Sequence, residues 1–304
     1  MIQVVANDAI DREAWDLRLE RTSDALWYAR SWVLDAACPG WSALVDEGRG
    51  AFMPLTAGRK YGIAYLYQPF LLQQLGVFGS GGDEAVQMEF LRAIPKRYRF
   101  IDICLKTTDR VQALPGMVLR RNVDLLLDLS PDVEVLRAAY GGNHRRNLAK
   151  AMAAALEWDA TVDPGAFLAF LQGTSAFAEW GLSGEQVRVL RALTHGVIAR
   201  NEGWIVALRA EGAICAAGLF VEHGGRIIFL KGVANEEGRR RHAMFLLMDS
   251  VIDRYAGTAH ALDLAGSNDA GTARFYAGFG AREGVYLRAT INRLPLPIRW
   301  LKYK

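Results

Sequence analysis

Residues 226–251 read RIIFLKGVANEEGRRRHAMFLLMDSV. The change of pattern inside this stretch decides the fold. Ile227, Ile228, Phe229 and Leu230 form a short apolar, β-favouring run and predict a strand over 225–233. Beyond Gly238 the period lengthens: Ala243, Leu246, Leu247 and Val251 share one helical face, which predicts a helix over 239–255. A strand feeding a helix through a short loop places unpaired backbone N–H groups and the positive end of the helix dipole at the junction, where an anion is favoured. Arg239, Arg240, Arg241 and His242 sit at that start. Cations there oppose the dipole unless an anionic partner docks. A solvated basic turn is the competing reading. Lys231 in the strand, Gly238 in the loop and the run Arg239–His242 are the candidate donor-binding residues.

Outward from this unit, the pattern continues in both directions. Downstream, a strand over 259–264 carries Leu262-Asp263-Leu264 into Gly266-Ser267-Asn268, followed by a helix over 269–278 and a last strand over 283–292. That helix presents Tyr276, whose phenol can protonate a leaving group; a packed core tyrosine is equally compatible with the spacing. Upstream, strands over 203–209 and 213–222 precede a hairpin turning on His223-Gly224-Gly225. Helix starts fall near 131 (Ser130-Pro131-Asp132), 164 (Asp163-Pro164) and 184, where Ser183 to Gln186 form a capping box. Gly141-Gly142 interrupts the first of these, and a second helical piece runs over 143–156.

The first 128 residues alternate likewise. Strands are expected at 41–46, 51–55, 63–72, 99–105 and 117–128, and helices at 10–20, 28–37 and 83–94. Gly40-Trp41 leading to Glu47-Gly48 is echoed by Gly203-Trp204 leading to Glu211-Gly212. Tandem related domains would produce such an echo, and so would chance. Alternating elements over the whole length define an α/β (α+β) protein of two domains, 1–128 and 129–304, with linking helices at 131–156.

Composition narrows the function classes. The chain has 304 residues, 51% of them hydrophobic, and carries 36 basic against 33 acidic residues for a net charge of +3. That is enough apolar material for sizeable cores, and too balanced a charge for a whole-chain nucleic-acid binder. Cys38, Cys104 and Cys215 stand far apart in no metal or redox spacing and read as core residues of a protein from a reducing compartment. No metal-ligand pattern, phosphate-binding P-loop, signal peptide or membrane span is expected, and the location expected is cytoplasmic.

Two further clusters have chemical potential. His144, Arg145, Arg146 and Lys150 fall within two helical turns, and Arg146 and Lys150 share a face. Such a ridge suits a phosphate, a carboxylate or tRNA, or is simply solvated. Tyr67, Gln68 and Gln74, with Tyr65 and Gln73, bracket Pro69-Phe70 and can line a substrate cleft or satisfy each other inside a sheet. Trp180, before the capping box, is a candidate lid over an acceptor or a core residue.

The strand, basic loop, helix, strand, Asn-containing turn and Tyr276 helix together resemble the core of GNAT acyltransferases. The whole chain is similar to the FemAB-like tandem-GNAT branch of that superfamily. The resemblance rests on Tyr65-Leu66-Tyr67-Gln68-Pro69-Phe70 with Gln73-Gln74-Leu75-Gly76, on Asn143-His144-Arg145-Arg146-Asn147-Leu148-Ala149-Lys150-Ala151, on Leu262-Asp263 with Gly266-Ser267, and on Arg274-Phe275-Tyr276 with Phe279-Gly280. It implies two tandem GNAT-like domains, each a mixed sheet flanked by helices. It also implies transfer of an acyl or aminoacyl group from acyl-CoA or aminoacyl-tRNA to an amine, in modification of a cell-wall or polysaccharide precursor. Tyr276 and Asn268 are then catalytic. Tyr67, Gln68, Gln74, Arg145, Arg146, Trp180 and Ser267 are then substrate-binding. The GNAT donor motif departs from its pattern here, with His242 and Met244 where small residues are expected. A ligand-binding protein on a degenerate GNAT fold is the alternative.

Overall fold

A computed structural model describes residues 1–106, 111–266 and 268–295. The chain divides into two compact units: 1–123 with 285–304, and 124–284.

The first unit opens with β1 (Gln3–Val5), α1 (Arg12–Glu20) and α2 (Ser31–Ala37), followed by β2 (Ser42–Asp46) and β3 (Ala51–Leu55). These three strands pair antiparallel in the order β1-β2-β3. Then come β4 (Ala57–Lys60), β5 (Ile63–Tyr67), α3 (Glu84–Ala93) and β6 (Tyr98–Cys104). β5 runs parallel to β6, and β6 pairs antiparallel with the returning C-terminal segment, Arg288 opposite Cys104 and Asn292 opposite Phe100. The segment is pinned by Arg288, which grips Asp102 through both carboxylate oxygens at 2.6 Å. The core gathers Leu44, Met53, Leu66, Phe90, Ile101 and Ile291, all buried.

The division falls inside β7 (Met117–Asp128), whose last five residues belong to the second unit. That unit continues with α4 (Val133–Ala138), α5 (Gly142–Met152), β8 (Glu157–Asp159), α6 (Pro164–Gln172), α7 (Ser175–Glu179) and α8 (Gly184–Ala199). The strands β9 (Gly203–Ala210), β10 (Ala213–His223) and β11 (Arg226–Ala234) form an antiparallel meander. The chain ends through α9 (Glu236–Arg240), α10 (Ala243–Tyr255), β12 (Ala261–Leu264), α11 (Ala270–Ala277) and β13 (Arg282–Asn292). Its strand order is β7-β12-β11-β10-β9-β8.

Local chemistry explains most of these boundaries. Asp163 caps α6 by accepting from Gly165 and Ala166, with Pro164 in the first turn. Ser183 and Gln186 close the capping box of α8 reciprocally. Gly224 and Gly225 supply the positive φ values, 57° and 73°, of the β10–β11 hairpin.

One expectation is overturned in the stretch that decides the fold. Instead of a single helix over 239–255, there are two. α9 starts at Glu236 with Asn235 as its cap, and the backbone breaks at His242, which adopts φ 57° before α10 begins at Ala243. Three more elements had no strong sequence signal: β1, β4 and β8 are edge or near-edge strands of three or four residues, too short for a period to show.

Candidate active site

In the second unit, the site is built where two strands part. β11 and β12 are parallel and pair through three positions only: Arg226 with Ala261, Ile227 with Leu262 and Ile228 with Asp263. Past Ile228, β11 runs on to Ala234 with no strand on that edge among the described residues, so the strands open. On its other edge β11 keeps its ladder with β10, but the register slips: Leu219 faces Lys231 and Phe220 faces Phe229, leaving Leu230 as the extra residue of a bulge.

The bulge and the pleat sort the side chains. A Cβ on Gly218 would meet Phe229, Phe220 and Leu247, which marks the α10 side of the sheet. Tyr276 of α11 packs edge-on against Phe229 on that side. Lys231 leaves from the other side, where its Nζ lies 3.4 Å from the ring centre of Trp180, the residue that ends α7. Tyr276 and Lys231 thus approach the opening from opposite faces.

Among the described residues Lys231 has no acidic neighbour. Burial alone lowers its ammonium to about 8, and among the described residues the Trp180 face supplies the only favourable contact for the charge. Tyr276 is 6% exposed, and its hydroxyl makes no hydrogen bond among the described residues. Burial, and then the negative charge of Asp263, raise its phenol well above the ordinary value, so it stays a proton donor.

Beneath the opening lie groups that the sequence reading did not single out as functional. Asp263 and Asp124 are both fully buried. Arg226 stands 2.9 Å from Asp263 Oδ2 and 3.9 Å from Asp124 Oδ2. Burial and the neighbouring Asp124 raise the Asp263 carboxyl against the pull of Arg226. A single acid inside each of two apolar strands, Asp124 in VDLLLD and Asp263 in ALDL, was the available signal, since such a residue is costly unless paired.

The basic run looks different in three dimensions. Arg239 and Arg240 occupy the last turn of α9, where cations complement the dipole. Arg240 is bound to Glu237, and Arg241 is bound to Glu237, to Glu211 and to the Ala154 carbonyl. Only Arg239 lacks an acid, reaching the Ala234 carbonyl and the Ser175 hydroxyl. Gly238 is required by packing: a Cβ there would lie 2.1 Å from the carbonyl oxygen of Cys215, which a second bulge turns towards α9. His242 stands half-buried before α10, its ring against Phe245.

The remaining candidates separate. His144 is buried among Phe245, Phe275 and Phe279, bonded to the Phe275 carbonyl at 2.7 Å, and is held below its usual pKa by burial. Arg145 is tied to the Ala138 and Tyr140 carbonyls. Arg146 and Lys150 are exposed on α5. Asn268 is exposed in the turn after β12, next to Asp269, which caps α11; Ser267 lies outside the described residues. Tyr67, Gln68 and Gln74 belong to the first unit. Gln68 there accepts from the Cys104 N–H at 2.8 Å and donates to the Leu72 carbonyl, and Gln74 is buried. A cleft of about 650 Å³ in that unit is lined by Arg18, Arg21, Asp24 and Glu47, among others. All three cysteines are buried and free, as expected of core residues. Among the described residues no helix is long and apolar enough to cross a membrane, and no group of three metal-ligating side chains occurs.

The second unit thus presents a bulged strand that parts from a parallel neighbour, with a tyrosine packed across it. Residues 142–274 match the acetyltransferase (GNAT) domain family. Solved structures extend the likeness to the whole length. FemX superposes with a TM-score of 0.65 at 10% identity, over 96% of this chain and 98% of that one. The C-terminal domain of a candidate lysylphosphatidylglycerol synthetase from Agrobacterium fabrum gives 0.55 at 13%, over 95% and 93%. A tandem GNAT protein from the clavulanic acid biosynthesis pathway gives 0.54 at 14%, over 97% and 99%. The chain therefore shares its fold with FemX and with the tandem GNAT protein. No curated protein sequence matches the chain.

Proposed function

We propose that this protein transfers an acyl or aminoacyl group from an activated thioester or ester to a primary amine, with an amine-bearing cell-wall or polysaccharide precursor as the acceptor class. The observation that carries the reading is Lys231: a half-buried ammonium with no counter-charge among the described residues, placed on the bulge of a strand whose free edge faces an opening. An uncompensated buried cation is costly unless an anion forms beside it. A carbonyl laid along β11 beyond Ile228 would develop its negative charge there, next to unpaired backbone N–H groups and the Lys231 ammonium. Tyr276, from the opposite face, returns a proton to the leaving group. A binding protein that had lost its chemistry would have no use for that unpaired charge.

For the donor, Arg239 is the cation left over for a phosphate, close to the start of α10. Arg146 and Lys150 add exposed positive charge on α5, which packs against α10, and favour a polyanionic donor such as aminoacyl-tRNA over acyl-CoA. The packing of Gly238 against Cys215 points the same way, because it takes from the loop the small residue a CoA pyrophosphate would approach.

Calorimetric titration with acetyl-CoA, then with aminoacyl-tRNA, tests the donor. Transfer of labelled amino acid from aminoacyl-tRNA to an amine acceptor, abolished in Lys231→Met, is the expected outcome. Unchanged transfer in Lys231→Met would remove the role assigned to the opening.

A further inference from the structure

The buried carboxylates below the opening have no part in the chemistry described so far. Asp263 occupies the last rung before β11 and β12 separate, opposite Ile228 on one side and Leu126 on the other. Residues paired across a sheet point to the same face, and so do residues two apart along a strand. Asp263, Asp124 and Arg226 therefore share the face from which Lys231 leaves. Asp263 Oδ2 takes the Arg226 guanidinium, while Oδ1 finds no N–H or O–H donor among the described residues. What faces it is Asp124, an acid of the same sign. Burial and the nearness of the two carboxylates outweigh the pull of Arg226, so the pair retains a proton until the pH is well above the usual carboxylate range. The charged and titratable groups acting on it are Asp124 from β7, Arg226 from β11 and, across the opening, Tyr276 from α11.

Resting on the transfer reading above, we propose that the Asp124–Asp263 pair is the proton acceptor of the reaction: it takes, directly or through one water, the proton that an acceptor ammonium must shed before its nitrogen can attack. The balance closes. An N–H bond of the ammonium breaks and the proton goes to Asp263 Oδ1. The freed lone pair forms the C–N bond at the donor carbonyl, and the C–S or C–O bond to the leaving group breaks. The leaving group takes the Tyr276 phenol proton, and Tyr276 is restored by the second proton of the same nitrogen. The pair then releases its proton to solvent, one per turnover. Arg226 keeps the doubly ionised pair accessible and holds Asp263 in place.

The alternative is a structural ion cluster tying β7, β11 and β12 together. Two acceptors separate the readings: benzylamine, an ammonium at neutral pH, and hydroxylamine, which is neutral there. Transfer to each is measured from acetyl-CoA and from an aminoacyl-tRNA, with wild type, Asp263→Asn and Asp124→Asn. Asparagine keeps the volume and the Arg226 contact, and an unchanged thermal transition shows that each variant folds. The expected result is a loss of about 10²–10⁴-fold in kcat for benzylamine in Asp263→Asn, a loss under about tenfold for hydroxylamine, and disappearance of the rise of kcat/KM with pH. Equal losses with both amines in a folded variant overturn the proposal and leave the transfer reading standing. Wild-type protein that transfers to neither amine from either donor overturns the transfer reading and this one with it.

Discussion

Each of the two units draws a lysine away from solvent at a strand, Lys106 fully and Lys231 in part, and the two are held in opposite ways. Lys106, just past β6 in the first unit, is 2% exposed; it lies 3.5 Å from Asp24, donates to the Val77 carbonyl and sits over the Phe78 ring at 4.4 Å. Every part of its charge is answered by the fold. Among the described residues Lys231 in the second unit has the Trp180 ring and nothing else, and its ammonium is lowered to about 8. A satisfied buried charge maintains a structure. An unsatisfied one is a cost to the structure that persists where a substrate or transition state supplies the missing partner.

The comparison is broken most directly by removing each charge in turn. Lys231→Met is expected to lower transfer by about 10²–10³-fold, the size of loss that follows removal of one group stabilising an oxyanion. The folded state should be as stable as wild type or more so, because a desolvated cation is replaced by an apolar chain of similar length. Lys106→Met should do the reverse. It leaves Asp24, 12% exposed, without its cation and the Val77 carbonyl without its donor. The expected loss is about 3 kcal/mol in chemical denaturation, with transfer per folded molecule unchanged. If Lys231→Met unfolds the protein and retains activity when folded, the contrast is void.

The pH dependence of stability sharpens the same point with a smaller signal. Lys231 has a folded value of about 8 against an ordinary 10.5. Between these limits the unfolded chain holds a proton that the folded chain has released, so stability rises with pH across the window, and the penalty is full below about 8. Asp263 acts with the opposite sign at lower pH: its folded value is raised, so its contribution fades as pH rises towards neutrality and beyond. Subtracting the denaturation curve of Lys231→Met from that of wild type isolates the lysine. The difference should rise by on the order of 2 kcal/mol from pH 8 to 10.5, after allowance for partial exposure. A flat difference would mean that Lys231 is solvated or paired in solution.

How much of this was legible beforehand depended on whether the signal was local. The meander β9–β11, the capping box at Ser183 and the strand Met117–Asp128 announce themselves through periods and caps that involve only near neighbours in sequence. The GNAT core followed from the order of such elements. The break at His242 could not be read, because a histidine at φ 57° has no composition of its own; it was masked by a continuous run of helix-compatible residues on both sides. The site was half visible. Lys231 and Tyr276 stand in the parts of the chain that carry the resemblance. The Asp124–Asp263–Arg226 cluster joins Asp124 to residues more than a hundred positions further on, and only the strand order β7-β12-β11 brings them together.

The arginines of α9 extend the lesson to the surface and give the smallest expected effects. Charge density in the sequence drew attention equally to Arg239, Arg240 and Arg241. In the structure, Arg240 holds Glu237 through contacts of 2.6–3.0 Å while its side chain remains 71% exposed. Arg241 is shared between Glu237 and Glu211. Neither has positive charge to spare. Arg239 meets only a carbonyl and a hydroxyl, each beyond 3.2 Å, so its guanidinium can move to a phosphate without abandoning an acid. Arg239→Ala should therefore weaken donor binding by about tenfold, the cost of one charge-assisted hydrogen bond, and this loss should shrink as salt is raised. Arg240→Ala should change donor affinity less than twofold and stability by no more than about 0.5 kcal/mol, as for other exposed pairs. Titration of the donor into both variants at two salt concentrations decides it: equal losses from the two arginines would mean that the donor reads the net charge of α9, and that the pairing with Glu237 does not reserve Arg240.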